Sequence, residues 1–165
     1  MFSSNAAPEE TTVPSGPGPV VCFALDDVRY ALPLASVERV VRAVAITPLP
    51  DAPEVILGVI NVQGRVVPVA DLRKRFRLPA RDIGLSDQML IAHTAHRPLA
   101  LVADAVYGIV ECSEGQIVAM DSIVPGLEYV EGIAKTADGL ILIHDLDRFL
   151  ALEEEASLEQ AMKNA

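Results

Sequence analysis

Tryptophan is absent from this 165-residue chain, aromatic residues make up only 4% of it, and it has three histidines and two cysteines. Each shortage narrows the chemistry. So few imidazoles and thiols leave little material for nucleophilic or general acid–base catalysis. Cys22 and Cys112 lack Cys-x-x-Cys spacing, and two isolated thiols fit a reduced, cytosolic protein better than a disulfide scaffold. His93 and His96 are spaced His-x-x-His, but on a strand end and turn that spacing does not put both rings on one face. No third ligand lies near them in sequence, so no metal is expected there. No serine sits in a Gly-x-Ser-x-Gly frame, no Gly-x-x-x-x-Gly-Lys loop exists, and the glycines are scattered as turn glycines are. No cofactor is expected. The one constellation that suggests an enzyme is Asp104, His144, Asp145 and Asp147, which could serve a small metal-dependent hydrolase. A strand end followed by an Asp helix cap accounts for the last three without catalysis.

Positive charge is also scarce: 13 Lys and Arg against 23 Asp and Glu give a formal net charge of −10. Phosphate backbones and anionic membrane surfaces repel such a chain, so nucleic acid and direct membrane insertion are excluded as expectations. The start of the chain has no charged-then-apolar signal pattern, and the apolar runs are too short to span a bilayer. What the chain has in quantity is aliphatic residues: 51% is hydrophobic. A core of Val, Ile, Leu and Ala favours strands, because branched side chains fit a pleated surface. The length suits one domain, or two small halves sharing an interface.

Residues 1–18 are rich in Pro, Ser, Gly and Thr and read as a disordered leader, with order over 19–150 and an acidic helical tail over 151–165. Val20–Leu25 and Val28–Leu32 flank Asp26-Asp27 as a β-hairpin. Val37, Val40, Val41 and Val44 suit a helix, or a helical turn leading into a strand; periodicity alone does not decide. Val59–Val62 and Arg65–Val69 flank Gln63-Gly64 as a second hairpin, with the glycine supplying a positive φ. Asp71 and Asp145 are placed to cap short helices, each behind an aliphatic strand.

The two halves echo each other. Ala31–Val41 aligns without gaps on Ala100–Val110, and Val69-Ala70-Asp71-Leu72 reappears as Ile143-His144-Asp145-Leu146. A duplication predicts two similar β units packed together, each closed by a short helix, with a natural partner groove at their seam.

The stretch from Gly58 to Arg73, read as Gly-Val-Ile-Asn-Val-Gln-Gly-Arg-Val-Val-Pro-Val-Ala-Asp-Leu-Arg, resembles the signature of the CheW family of chemotaxis coupling proteins. Phe23-x-Leu25, Val37-x-x-Val40, Thr47–Pro50, Val102–Val106 and the closing Leu-Ile-Leu-Ile-His-Asp-Leu-Asp run resemble it in register. The resemblance implies a mainly β fold of two packed SH3-like five-stranded barrels with short helices, and no enzymatic activity. It implies an adaptor in a chemoreceptor array, a two-component signal-transduction system: cytoplasmic, associated with membrane receptors and monomeric by itself. Its implied partners are the regulatory domain of a CheA-like histidine kinase and the cytoplasmic tip of chemoreceptors. Kinase binding falls to the first barrel, at Gly58, Asn61, Val62, Gly64 and Asp71. The receptor falls to the groove between barrels, with Val37, Val40, Ala100 and Val106 as floor and Arg39 and Gln63 as rim. Gln63 stands where the family has Arg, and Arg39 where it usually has Glu. The alternative these departures open is a docking module of a divergent chemosensory-type pathway, controlling pili or second-messenger output through a non-standard partner.

Overall fold

The computed structural model describes residues 18–112, 117–119, 130–136 and 139–164. The expected leader, apart from Gly18, lies outside that range. Alternating and continuous aliphatic runs form strands as their composition requires. The first hairpin is β1 (Gly18–Leu25) and β2 (Val28–Pro33). A 3₁₀ turn, Leu34–Ser36, leads into β3 (Val37–Arg42). The second hairpin is β4 (Ile56–Val62) and β5 (Arg65–Ala70), followed by the four-residue helix α1 (Leu72–Arg75). Next come β6 (Gln88–His93), β7 (Pro98–Ala103), β8 (Ala105–Cys112), β9 (Ile117–Ala119), β10 (Val130–Thr136) and β11 (Gly139–His144). A 3₁₀ turn, Leu146–Arg148, and the helix α2 (Leu152–Asn164) complete the described chain.

Two sheets result, ordered β8-β1-β2-β11-β10-β9 and β3-β6-β7-β5-β4. Replacing β1, β2, β3, β4 and β5 by β6, β7, β8, β10 and β11, and the reverse, converts the first five strands of one order into the other. The duplication is therefore real in three dimensions, but the units are not consecutive halves. Each sheet takes one hairpin from one half of the chain and its other strands, three in the five-stranded sheet and four in the six-stranded one, from the other half. The parallel pairings agree, β11 with β2 and β5 with β7. So do the bulges, between Val37 and Arg39 and between their counterparts opposite Cys22 and Phe23 in β8.

The fold is mainly β with two packed sheets, as expected; the strand count differs, since β9 adds a sixth strand to one of them. Among the described residues no ladder closes either sheet into a barrel. The five-stranded sheet comes nearest: Thr47, beyond β3, exchanges two hydrogen bonds with Val59 of β4, at 2.9 and 2.8 Å. Gly58 lies beside this bridge, where a Cβ would stand 2.3 Å from the Thr47 carbonyl oxygen.

The strands that read as unbroken apolar runs are buried on both faces. In β6, Met89 and Ile91 fill the five-stranded sheet's own core, while Leu90 and Ala92 join a larger core shared between the sheets. In β1, Val20 and Cys22 fill the six-stranded sheet's core, and Val21, Phe23 and Leu25 join the shared one. Leu158 and Ala161 of α2 also enter the shared core, so the acidic segment expected as a tail is a packed element. Arg75–Glu154 and Arg97–Glu155 ion pairs, both at 2.6 Å, hold its outer side.

Candidate functional site

Residues opposite each other in a ladder share a sheet face, so register decides which side chains reach the seam. In β3, Val37 opposes Ala92 and Val40 opposes Leu90, both members of the shared core, and Arg42 opposes Gln88 on the same face. Arg39 opposes Ile91, whose side chain lies in the five-stranded sheet's own core. The bulge at Glu38 adds one residue and inverts the alternation. That is why the helix-like Val37-x-x-Val40 spacing occurs in a strand, with both valines on one face. In β8 the same device places Val106 opposite Phe23, Ile109 opposite Val21 and Glu111 opposite Pro19. Val37 and Val106 both pack against the shared core, and Val40 and Ile109 are exposed at 38% and 61%.

The seam thus gathers Val37, Val40 and Val106, three of the six residues expected in a groove. Ala100 is 0% exposed in the core of the five-stranded sheet and has no surface to offer. Arg39 is exposed but on the opposite face from the valines, and Gln63 forms the tip of the β4–β5 hairpin. Ile109, Arg42 and Glu111, none of them expected in the groove, lie on the same faces of β8 and β3. The repeat itself carried the signal for Ile109, since it aligns with Val40.

The second candidate surface is that hairpin and the sheet margin beside it. Gln63 and Gly64 have φ of 52° and 84°, which makes a tight two-residue turn, and Asn61 Oδ1 accepts from Gly64 N at 2.8 Å. Asn61 and Gly64 are exposed. Val62 lies in the sheet core and Gly58 is required by close backbone packing. Asp71 caps α1 by accepting from Lys74 N at 3.1 Å. Val62 and Gly58 shape the hairpin without forming its surface, and Asp71, half-buried, lies just beyond it. Val66, opposite Asn61 and 50% exposed, is the apolar side chain available there. At the end of the sheet an open depression of about 460 Å³ is lined by Glu38, Arg65, His93, His96 and Arg97. Arg65 Nη2 donates to both Glu38 carboxylate oxygens, at 2.8 and 3.0 Å, and this hydrogen bond holds the Glu38 carboxyl below its usual range.

The hydrolase constellation does not assemble. Asp104 accepts from Arg73 Nη2 at 2.8 Å, from Asp26 N at 2.7 Å and from Arg81. Asp145 caps a 3₁₀ turn by accepting from Asp147 N at 3.1 Å, and Asp147 in turn accepts from Ala95 N at 2.8 Å. His144 is buried with its ring stacked on Phe76, centroids 4.5 Å apart. Among the described residues no group of three or more His, Cys, Asp or Glu is placed to hold a metal, and no helix is long and apolar enough to cross a membrane. Arg73, 8% exposed, also bonds Asp26 at 2.9 Å, and it ties α1 to the first hairpin and to the β7–β8 corner.

Comparison with known proteins agrees with this geometry. A curated relative, the chemotaxis protein CheW of Rhizobium meliloti, is 27% identical over 153 residues, covering 92% of this chain and 97% of that protein. Protein FrzA of Myxococcus xanthus is 35% identical over 88 residues, 53% of this chain and 55% of that one. The crystal structure of the scaffolding protein TtCheW from Thermoanaerobacter tengcongensis superposes with a TM-score of 0.76 at 33% identity, covering 84% of this chain and 96% of that one. The CheW-like domain model matches residues 19–154, most of the sequence, and the chain belongs to the CheW-like family.

Proposed function

We propose that this protein is a non-catalytic chemosensory adaptor that couples chemoreceptors to a CheA-type histidine kinase, working in the cytoplasm beside membrane receptor arrays. The observation that carries this reading is that exposed aliphatic residues stand on two separate surfaces, at the sheet seam and on the β4–β5 hairpin. Val40 and Ile109 stand at the seam of the two sheets, whereas Val66 stands opposite Asn61 on the β4–β5 hairpin, separated from β3 in the sheet order by β6 and β7. A protein that joins two partners needs two such surfaces; an enzyme needs a convergent polar site, and the candidate one is consumed by ion pairs and caps. The scaffold description of the TtCheW structure and the chemotaxis names of the relatives support the same reading. The seam is assigned to the receptor tip and the hairpin margin to the kinase.

The test is separation of function. Val66→Glu should weaken binding of the cognate kinase regulatory domain by about tenfold or more, as loss of an interface anchor does, and leave receptor-tip binding unchanged. Ile109→Glu should do the reverse. Circular dichroism establishes that both variants are folded. Loss of both partners from one substitution, or of neither from either, would overturn the two-surface reading.

A further inference from the structure

The seam rows end in charge, and the two charges have opposite signs. Val37–Val40–Arg42 on β3 corresponds through the repeat to Val106–Ile109–Glu111 on β8. The two aliphatic positions match, and the third is Arg42 on one wall and Glu111 on the other, both exposed. The walls run past each other in opposite directions. Gln88, opposite Arg42 in the ladder, accepts at its Oε1 from Val106 N at 2.9 Å, so the Arg42 end of β3 adjoins the start of β8. The repeat relation places the Glu111 end of β8 beside the start of β3. The positive charge therefore stands at one end of the seam and the negative charge at the other. Glu38 and its counterpart Tyr107 are the bulge residues and take no part in these rows; Glu38 pairs with Arg65, and Tyr107 lies under Arg29, 5.1 Å from ring centroid to guanidinium.

We infer that this charge pair sets the direction in which a partner helix lies in the seam, with its C-terminal end at Arg42 and its N-terminal end at Glu111. Each row spans about 17 Å at about 3.3 Å per residue, which matches about three turns of helix at 1.5 Å per residue. Val40 and Ile109 offer aliphatic contacts at mid-length on opposite walls, which suits apolar side chains spaced three and four apart along one helix face. The near two-fold likeness of the apolar rows would accept a helix in either sense, so apolar contact alone cannot choose. A helix carries partial negative charge at its C-terminus and partial positive charge at its N-terminus. Arg42 and Glu111 favour one sense at both ends at once. The partner chemistry is an amphipathic helix with carboxylates in its last turn, or basic groups in its first, or both. The inference rests on the assignment of the seam to the receptor tip.

The experiment uses the full chain and a soluble receptor-tip fragment from the same organism. The fragment carries a nitroxide label at the N-terminal or the C-terminal end of its seam-binding helix. Amide signals of the isotope-labelled adaptor are expected to broaden around Glu111 with the N-terminal label and around Arg42 with the C-terminal one. Arg42→Glu and Glu111→Arg should each weaken binding by about two- to fivefold, the range of a helix-end charge interaction. The loss should be larger at low salt than at high salt. Broadening in the reversed sense, or equally at both ends, would overturn the direction while leaving the seam as receptor site. Binding that broadens neither row and ignores Val40→Lys and Ile109→Lys would overturn the seam assignment, and the direction with it.

Discussion

At the scale of single residues, two positions show how little freedom the fold leaves. Gly58 has a φ of 154° and no room for a side chain, because the Thr47 carbonyl that bridges to β4 occupies the place of a Cβ. Gly58→Ala must move that bridge or the strand. It is expected to lower stability by about 1–3 kcal/mol, as overpacking does, read as a shift in the urea midpoint. Asp104 is the other. Burial pushes its carboxyl up, but the Asp26 N–H and the Arg81 and Arg73 guanidinium groups outweigh that and hold it below the usual range. A depressed native pKa means that the unfolded chain binds the proton more readily. Its contribution is full above the ordinary aspartate value of about 4 and is lost as pH falls from there through the native value. Stability measured from pH 6 to pH 2 should therefore fall more steeply below pH 4 in the natural protein than in Asp104→Asn. Equal slopes would show that the cluster contributes nothing to acid sensitivity.

At the scale of elements, the helix α2 looks weakly amphipathic in sequence, and its charges dominate: Glu153, Glu154 and Glu155 fill its first turn. Only contact reveals its part in the core. Leu158 is 0% exposed among the side chains shared by the two sheets, and Arg75 and Arg97 receive its carboxylates. Leu158→Ala is expected to cost about 2–5 kcal/mol, the range for an aliphatic side chain removed from a packed core. Glu153→Ala, on the same helix and exposed, should stay within about 0.5 kcal/mol. Chemical denaturation of the two variants side by side checks this; a small effect at Leu158 would mean that α2 is peripheral after all.

At the scale of the whole molecule, the exchange of hairpins makes the two sheets interdependent. The β1–β2 hairpin completes the six-stranded sheet, and β6 and β7 complete the five-stranded one. Neither consecutive half contains a full sheet. Fragments 18–87 and 88–165 are expected to be largely unfolded alone by circular dichroism and to regain β signal when mixed, because each supplies the strands that the other lacks. A half that folds cooperatively by itself would show that the exchanged strands are dispensable. The same interlocking ties the two proposed binding surfaces to one rigid core.

The sequence by itself determined the class of the fold, because aliphatic runs, hairpin turns such as Gln63-Gly64 and the caps Asp71 and Asp145 are local features whose physics acts over a few residues. It also carried the repeat, and with it the correspondence of Val37 with Val106 and of Val40 with Ile109. It did not reveal the bulge at Glu38, which turns a helix-like spacing into one face of a strand and removes Arg39 from the seam, since a bulge depends on the partner strand. Ala100 could not be distinguished from a surface alanine until β7 was seen buried on both faces. Only the tertiary structure decided which sheet each hairpin joins, and so which side chains face each other across the seam. Pairing between strands distant in sequence is set by the packing of whole sheets, a long-range term to which no local pattern responds.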